Sequence, residues 1–71
     1  MSQFVGTVSY VHPQDKFYFL KRDDGGGDVY LGIKELNLAR LASPNKGDRF
    51  RFDVKQGRSG LRAINIERLD N

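Results

Sequence analysis

Hydrophobic and polar residues alternate along most of this chain, and where the alternation stops the residues are those of turns. Gln3 to Val11 is rich in Val, Thr, Tyr and Phe and reads as a first strand. His12-Pro13-Gln14-Asp15 ends it, because proline has no N–H for a sheet ladder and holds the residue before it extended. Lys16 to Arg22 is a second strand, and Asp23-Asp24-Gly25-Gly26-Gly27 supplies glycines free to take the positive φ of a hairpin loop. Asp28 to Gly32 is a short third strand, with Val29 and Leu31 on one face and Tyr30 on the other. From Ile33 to Ala42 the alternation gives way to helix-forming residues, which predicts a turn or two of α- or 3₁₀-helix stopped by Ser43-Pro44-Asn45-Lys46-Gly47. Asp48 to Gln56 alternates again, with Phe50, Phe52 and Val54 directed inward and Arg49, Arg51, Asp53 and Lys55 outward. Gly57-Arg58-Ser59-Gly60 then turns the chain into a fifth strand, from Leu61 to about Leu69.

Five short strands with glycine-rich turns and one brief helical insertion predict an all-β domain, a small five-stranded antiparallel β-barrel, because closure removes the edges an open sheet would expose. No repeat, linker or low-complexity tract divides the chain, so residues 1–71 read as one domain. A chain of this length buries only about 60% of the surface its unfolded form exposes, so the core is small. With no cysteine there is neither a disulfide framework nor a thiolate metal site. No apolar run is long enough to cross a bilayer, and Met1-Ser2-Gln3 leads directly into strand-like sequence, which reads as a soluble cytoplasmic protein.

Chemistry-bearing constellations are sparse. The single histidine, His12, has no second nitrogen or sulfur ligand nearby and reads as a turn residue. The 23–27 loop lacks both the Gly-Lys-Ser/Thr ending of a phosphate-binding loop and the alternating oxygen ligands of a calcium loop. Gly57-Arg58-Ser59-Gly60 has the spacing of a backbone clamp that elsewhere joins helices, but here it joins strands. With no assembled nucleophile, base or metal cluster, the sequence points away from an enzyme, and no cofactor or metal is expected.

Two features point to a binding surface. In Lys16-Phe17-Tyr18-Phe19-Leu20, alternation places Phe17 and Phe19 on one face and Tyr18 and Leu20 on the other. One pair faces the core and the other lies on the outside of the sheet, unless the protein itself covers both faces. Exposed phenylalanines side by side suit stacking of unpaired bases. The second feature is charge: the formal balance is +3, and it is uneven. Residues 1–30 carry three cationic and four acidic side chains, residues 31–71 nine and five. Arg49, Arg51, Lys55, Arg58 and Arg62 fall close together in sequence, with Asp53 the only acid among them. Such a run is either a solvated strand face or a surface for a polyanion.

These blocks resemble the cold shock domain, an OB-fold barrel. Gly6-Thr7-Val8-Ser9-Tyr10-Val11-His12 is similar to its Gly-x-Val-Lys-Trp-Phe-Asn, and Asp15-Lys16-Phe17-Tyr18-Phe19-Leu20 to its Lys-Gly-Phe-Gly-Phe-Ile. Asp28-Val29-Tyr30-Leu31-Gly32-Ile33 resembles Asp-Val-Phe-Val-His-Phe. Gly47-Asp48-Arg49-Phe50-Arg51-Phe52 resembles Gly-x-x-Val-x-Phe, and Gly57 through Ala63, with Asn65 and Ile66, resembles the closing Gly-x-x-Gly-x-x-Ala-x-Asn-Val. The likeness runs in register over nearly the whole chain, with one residue of difference in the second hairpin.

The resemblance implies a non-catalytic module that binds single-stranded RNA or DNA on an aromatic face and competes with base pairing as a nucleic-acid chaperone does. Four rings of its binding face map onto Tyr10, Phe17, Phe19 and Tyr30, and the expected binding set adds Lys16, beside a lost lysine position, with Lys34, Arg58 and Arg62, which fall on or next to loops that border that face. Tyr10 is assigned to this face by the resemblance, since simple alternation puts it with Val8 unless the strand bulges. Departures are evident too. Val11, Gly32, Ile33 and Leu41 stand where the family has Phe, His, Phe and Phe, and Ser9 and Asp15 replace lysines. At roughly 1–3 kcal/mol per stacked base, loss of two platform groups weakens binding by about two orders of magnitude. Tyr18 replaces a glycine, so its ring points inward or to the barrel mouth and its hydroxyl needs a partner. A second class stays open: a diverged barrel that uses Tyr10, Phe17, Phe19, Tyr30 and Ile33 as an apolar patch for a protein partner or a homodimer.

Overall fold

The computed structural model describes residues 3–58 and 60–69. Ser59, in the last predicted turn, lies outside them, as do Met1 and Ser2 before the first predicted strand. The chain forms β1 (Phe4–Val11), β2 (Phe17–Arg22), β3 (Asp28–Gly32), α1 (Ile33–Leu38), β4 (Arg49–Gly57) and β5 (Gly60–Leu69). The strands close into a barrel in the order β1-β2-β3-β5-β4. Four of the pairings are antiparallel and β3–β5 is parallel. The expected five-stranded antiparallel barrel is formed, and its one parallel contact is a consequence of closure: strand direction cannot alternate all the way round a ring with an odd number of members. No helix among the described residues is long and apolar enough to cross a membrane.

The interior follows the alternation. Val8, Tyr18, Leu20, Val29, Leu31, Phe50, Phe52, Ala63 and Ile66 come inward from the strands, and α1 lays Leu36 into the same cluster. Val54, expected fully inside, is half-buried and packs against the edge of the core. Tyr18 is completely buried, and its hydroxyl donates to the Asp15 carbonyl at 3.3 Å. In the 23–27 loop Gly25 and Gly27 adopt φ of 79° and 97°, the left-handed backbone that the glycine run anticipated.

The helix stops earlier than the expected Ala42. Arg40 takes a left-handed conformation (φ 58°), its N–H donates to the Asn37 carbonyl, and the Leu41 N–H donates back to Leu36. This pair of bonds closes a helix C-terminus even without glycine. Two bulges reshape the barrel. Opposite β2, Val8 pairs with Leu20 and Tyr10 with Phe19, leaving Ser9 as the extra residue. The Ser9 hydroxyl donates to the Phe19 carbonyl at 3.3 Å. On β5 the register slips opposite Phe52, where Asn65 sits at φ 51° and its amide donates to Asp53 at 3.2 Å.

Candidate nucleic-acid interface

The Ser9 bulge decides where Tyr10 points. A strand without it would send Tyr10 inward after Val8, whereas one extra residue flips the parity and lays the ring on the outer face. Tyr10 is there 43% exposed. Its ring centroid lies 6.0 Å from Phe17 and 6.0 Å from Phe19. Phe17 and Phe19 are 5.9 Å apart edge-on, and Tyr30 lies 5.8 Å from Phe17 and 6.2 Å from Phe19. Four rings from β1, β2 and β3 thus form one continuous outer patch.

The substituted positions explain how the patch is packed. A methyl group at Gly32 would lie 3.1 Å from the Tyr30 ring, so a side chain there would have to displace the ring by a few tenths of an ångström. Val11 and Leu41 are half-buried against the core, and Ile33 is 45% exposed beside the patch in sequence.

Across the barrel the strand registers align one residue per strand. Tyr10 pairs with Phe19, Phe19 with Tyr30, Tyr30 with Arg62 and Arg62 with Lys55. The girdle is aromatic on β1–β3 and cationic on β5 and β4. The Arg62 guanidinium lies 6.0 Å from the Tyr30 ring centroid, within reach of a cation–π contact. Arg58, exposed in the β4–β5 turn, joins Arg62, Phe19, Tyr30 and Asp28 around a cleft of about 660 Å³. Lys16 is exposed just before Phe17, and Lys34 is exposed two residues past Gly32, the register partner of Phe17.

The basic run read from the sequence splits in the fold. Arg49 pairs with Asp23 and Arg51 with Glu67, at 3.2 Å, while Arg68 pairs with Asp48 at 3.0 Å. Arg22 lies 4.2 Å over the Phe4 ring and pairs with Asp24 at 2.6 Å. The Arg22 hydrogen bond, helped by the Gly26 N–H, holds the Asp24 carboxyl below its ordinary pKa. The hydrogen bond from Arg49 to Asp23, with their mutual attraction, pushes the guanidinium pKa up. Among the described residues, no carboxylate lies within 4 Å of the charged ends of Lys16, Lys34, Lys55, Arg58 or Arg62. The cations bordering the rings are therefore among those held by no carboxylate at ion-pair distance among the described residues.

One ring near the patch escaped the sequence reading. His12 lies 4.6 Å from Phe17. Its sequence position, at the mouth of a proline turn, gave only the turn role. The available signal was that an aromatic ring stands where the resembling motif ends in asparagine.

Comparison with known proteins agrees with this architecture over its whole length. The family model described as the 'Cold-shock' DNA-binding domain matches residues 4–69. Cold shock-like protein CspA of Shewanella violacea is 33% identical over 61 residues, covering 86% of this chain and 87% of that protein. Cold shock protein ScoF of Streptomyces coelicolor is 33% identical over 61 residues, 86% of this chain and 91% of the relative. Cold shock-like protein CspA of Vibrio cholerae is 31% identical over 70 residues, 97% of this chain and 100% of the relative. A barrel closed in this order, bulged to turn Tyr10 outward and matched from its first strand to its last, places the chain in the cold shock domain family.

Proposed function

We propose that the protein is a non-catalytic module that binds single-stranded RNA or DNA, stacking unpaired bases on Tyr10, Phe17, Phe19 and Tyr30. Arg58, Arg62, Lys16 and Lys34 attract phosphates from the borders of the patch, and binding competes with base pairing, as a nucleic-acid chaperone does. The observation that carries this reading is the outward four-ring patch, with Tyr10 exposed and Phe17, Phe19 and Tyr30 half-buried, bordered by cations that no carboxylate among the described residues pairs within 4 Å. Base stacking needs an accessible apolar ring face, and each base so held contributes about 1–3 kcal/mol. Phosphate contacts add a salt-dependent attraction.

Titration of labelled oligo-dT and oligo-U at two salt concentrations tests it. Binding is expected in low salt, weakening as salt rises with a slope of only a few units, since each single-strand phosphate contact contributes about 0.7. Absence of binding in low salt at millimolar protein transfers the patch to a protein partner or a second copy of the chain.

A further inference from the structure

His12 is held on three sides. Its backbone N–H donates to the Phe17 carbonyl at 3.1 Å, its carbonyl accepts from the Asp15 N–H at 2.8 Å, and its Nδ1 accepts from the Gln14 N–H at 3.1 Å. A neutral imidazole accepting at Nδ1 carries its proton on Nε2. The ring is therefore fixed with one nitrogen committed to the turn and the other free to donate. It is half-buried, and its 4.6 Å centroid separation from Phe17, at a tilt of 42°, is shorter than the separations linking the four rings of the patch.

A turn residue alone does not require this ring. The hydrogen bond to Gln14 spans two residues, and an asparagine side chain makes that bond at least as well. Histidine adds what asparagine lacks, a planar aromatic surface carried past Phe17 toward the β1–β2 turn. We propose that His12 is a fifth ring of the binding platform and holds one further unpaired base at that end of the patch. The inference rests on the nucleic-acid reading above. The base stacks on the imidazole beside Phe17, and the Nε2–H is the donor available to an oxygen of the bound strand. A platform thinned at Gly32 and Leu41 thereby recovers one stacking position from a residue outside the three sheet strands that form it.

Two substitutions separate the ring from the turn bond. His12→Asn keeps an acceptor for the Gln14 N–H and removes the ring, whereas His12→Phe keeps an aromatic ring and removes the acceptor. Each is titrated beside the parent with oligo-dT lengthened one nucleotide at a time, and denaturant midpoints are recorded for all three. His12→Asn is expected to keep the parent's midpoint, to weaken binding roughly 5- to 150-fold, and to reach its affinity plateau one nucleotide sooner. His12→Phe is expected to keep the parent's plateau and to bind more tightly than His12→Asn, falling short of the parent only by what the Nε2–H contact to the strand contributes. If His12→Asn titrates as the parent does, His12 is a turn residue only and the inference is overturned. If His12→Phe binds as weakly as His12→Asn, ring stacking is overturned as well. Failure of the parent itself to bind in low salt is a separate result, which removes the nucleic-acid reading and this inference with it.

Discussion

Tyr18 and Phe19 are consecutive aromatics on β2, and the barrel uses them in opposite ways. Tyr18 has no exposed surface and packs among Leu20, Phe50 and Phe52 in the core cluster, while Phe19 lies half-exposed among Tyr10, Phe17 and Tyr30. The difference extends to the regions they belong to. Inside, apolar side chains from all five strands are sealed from water; outside β1–β3, an apolar patch of comparable chemistry is left accessible. Burial of the inner set stabilises the fold, by about 25 cal/mol for each Å² of apolar surface removed from water. The outer set contributes less to folding and keeps its ring faces for something else. Strand alternation thus separates a buried aromatic from an accessible one at the spacing of a single residue.

The largest expected effect tests that separation directly. Leu20 is fully buried, so Leu20→Ala is expected to lose about 2–5 kcal/mol of stability, enough to unfold much of the population of so small a domain. Phe19→Ala is expected to lower stability by about 1 kcal/mol, the scale of its aromatic contacts, and to weaken oligonucleotide binding by about 1–3 kcal/mol. Denaturant midpoints and affinities for both variants decide the matter. If Phe19→Ala unfolds the domain while Leu20→Ala is tolerated, the outer patch is structural and the contrast collapses.

A smaller effect concerns the charges around the two outer flanks. On the flank with Phe4, Arg22, Arg49 and Arg51 are each engaged by a carboxylate, while Arg58 and Arg62 line the cleft beside Tyr30. Changing Arg58 and Arg62 together to Gln is expected to weaken binding to all sequences alike, because phosphate contacts carry no base information. It is also expected to reduce the salt slope by about 1.4, at 0.7 per contact. The same change at Arg49 and Arg51 is expected to leave the slope as it was. The reverse pattern in a salt titration would move the interface to the far flank.

What the sequence made legible, and what it did not, follows the range of the interactions involved. Strand parity is local, so Val29 and Leu31 were placed on one shared face and Phe50 and Phe52 inward from their own neighbours, and the structure buries all four. The position of Tyr10 was not legible from parity, because a bulge is an extra residue relative to another strand, and β2 is needed to see it. Resemblance supplied that placement, and Ser9 supplies its physical basis. The fate of Arg49 and Arg51 was equally hidden. Their acids are Asp23 and Glu67, separated from them by 26 and 16 residues, so a count of charges along the chain saw a cluster where the fold makes pairs. The helix end was missed because Arg40, with no glycine to announce it, adopts the left-handed conformation that stops α1.

The smallest expected effect probes whether Arg22 belongs wholly to the paired flank. Its hydrogen bond to Asp24, with the Gly26 N–H as the next contributor, lowers the Asp24 pKa in the folded protein. A carboxyl that releases its proton more readily when folded than when unfolded adds stability above its unfolded pKa and loses that contribution as pH falls through the folded one. The pair is partly exposed, with the Asp24 side chain 50% accessible, so solvent and salt screen it and the change in stability is small. Its titration is the sharper observable. By NMR, Asp24 is expected to titrate below the ordinary carboxylate range in the parent and to move back toward it in Arg22→Gln, with the Gly26 contact retaining part of the depression. Oligonucleotide affinity is expected to be the same in the two proteins, because the Arg22 guanidinium is engaged by Phe4 and Asp24, away from the four rings. A loss of binding in Arg22→Gln with an unmoved Asp24 titration would show that Arg22 reaches the bound strand and that the two flanks are not divided as the ion pairs suggest.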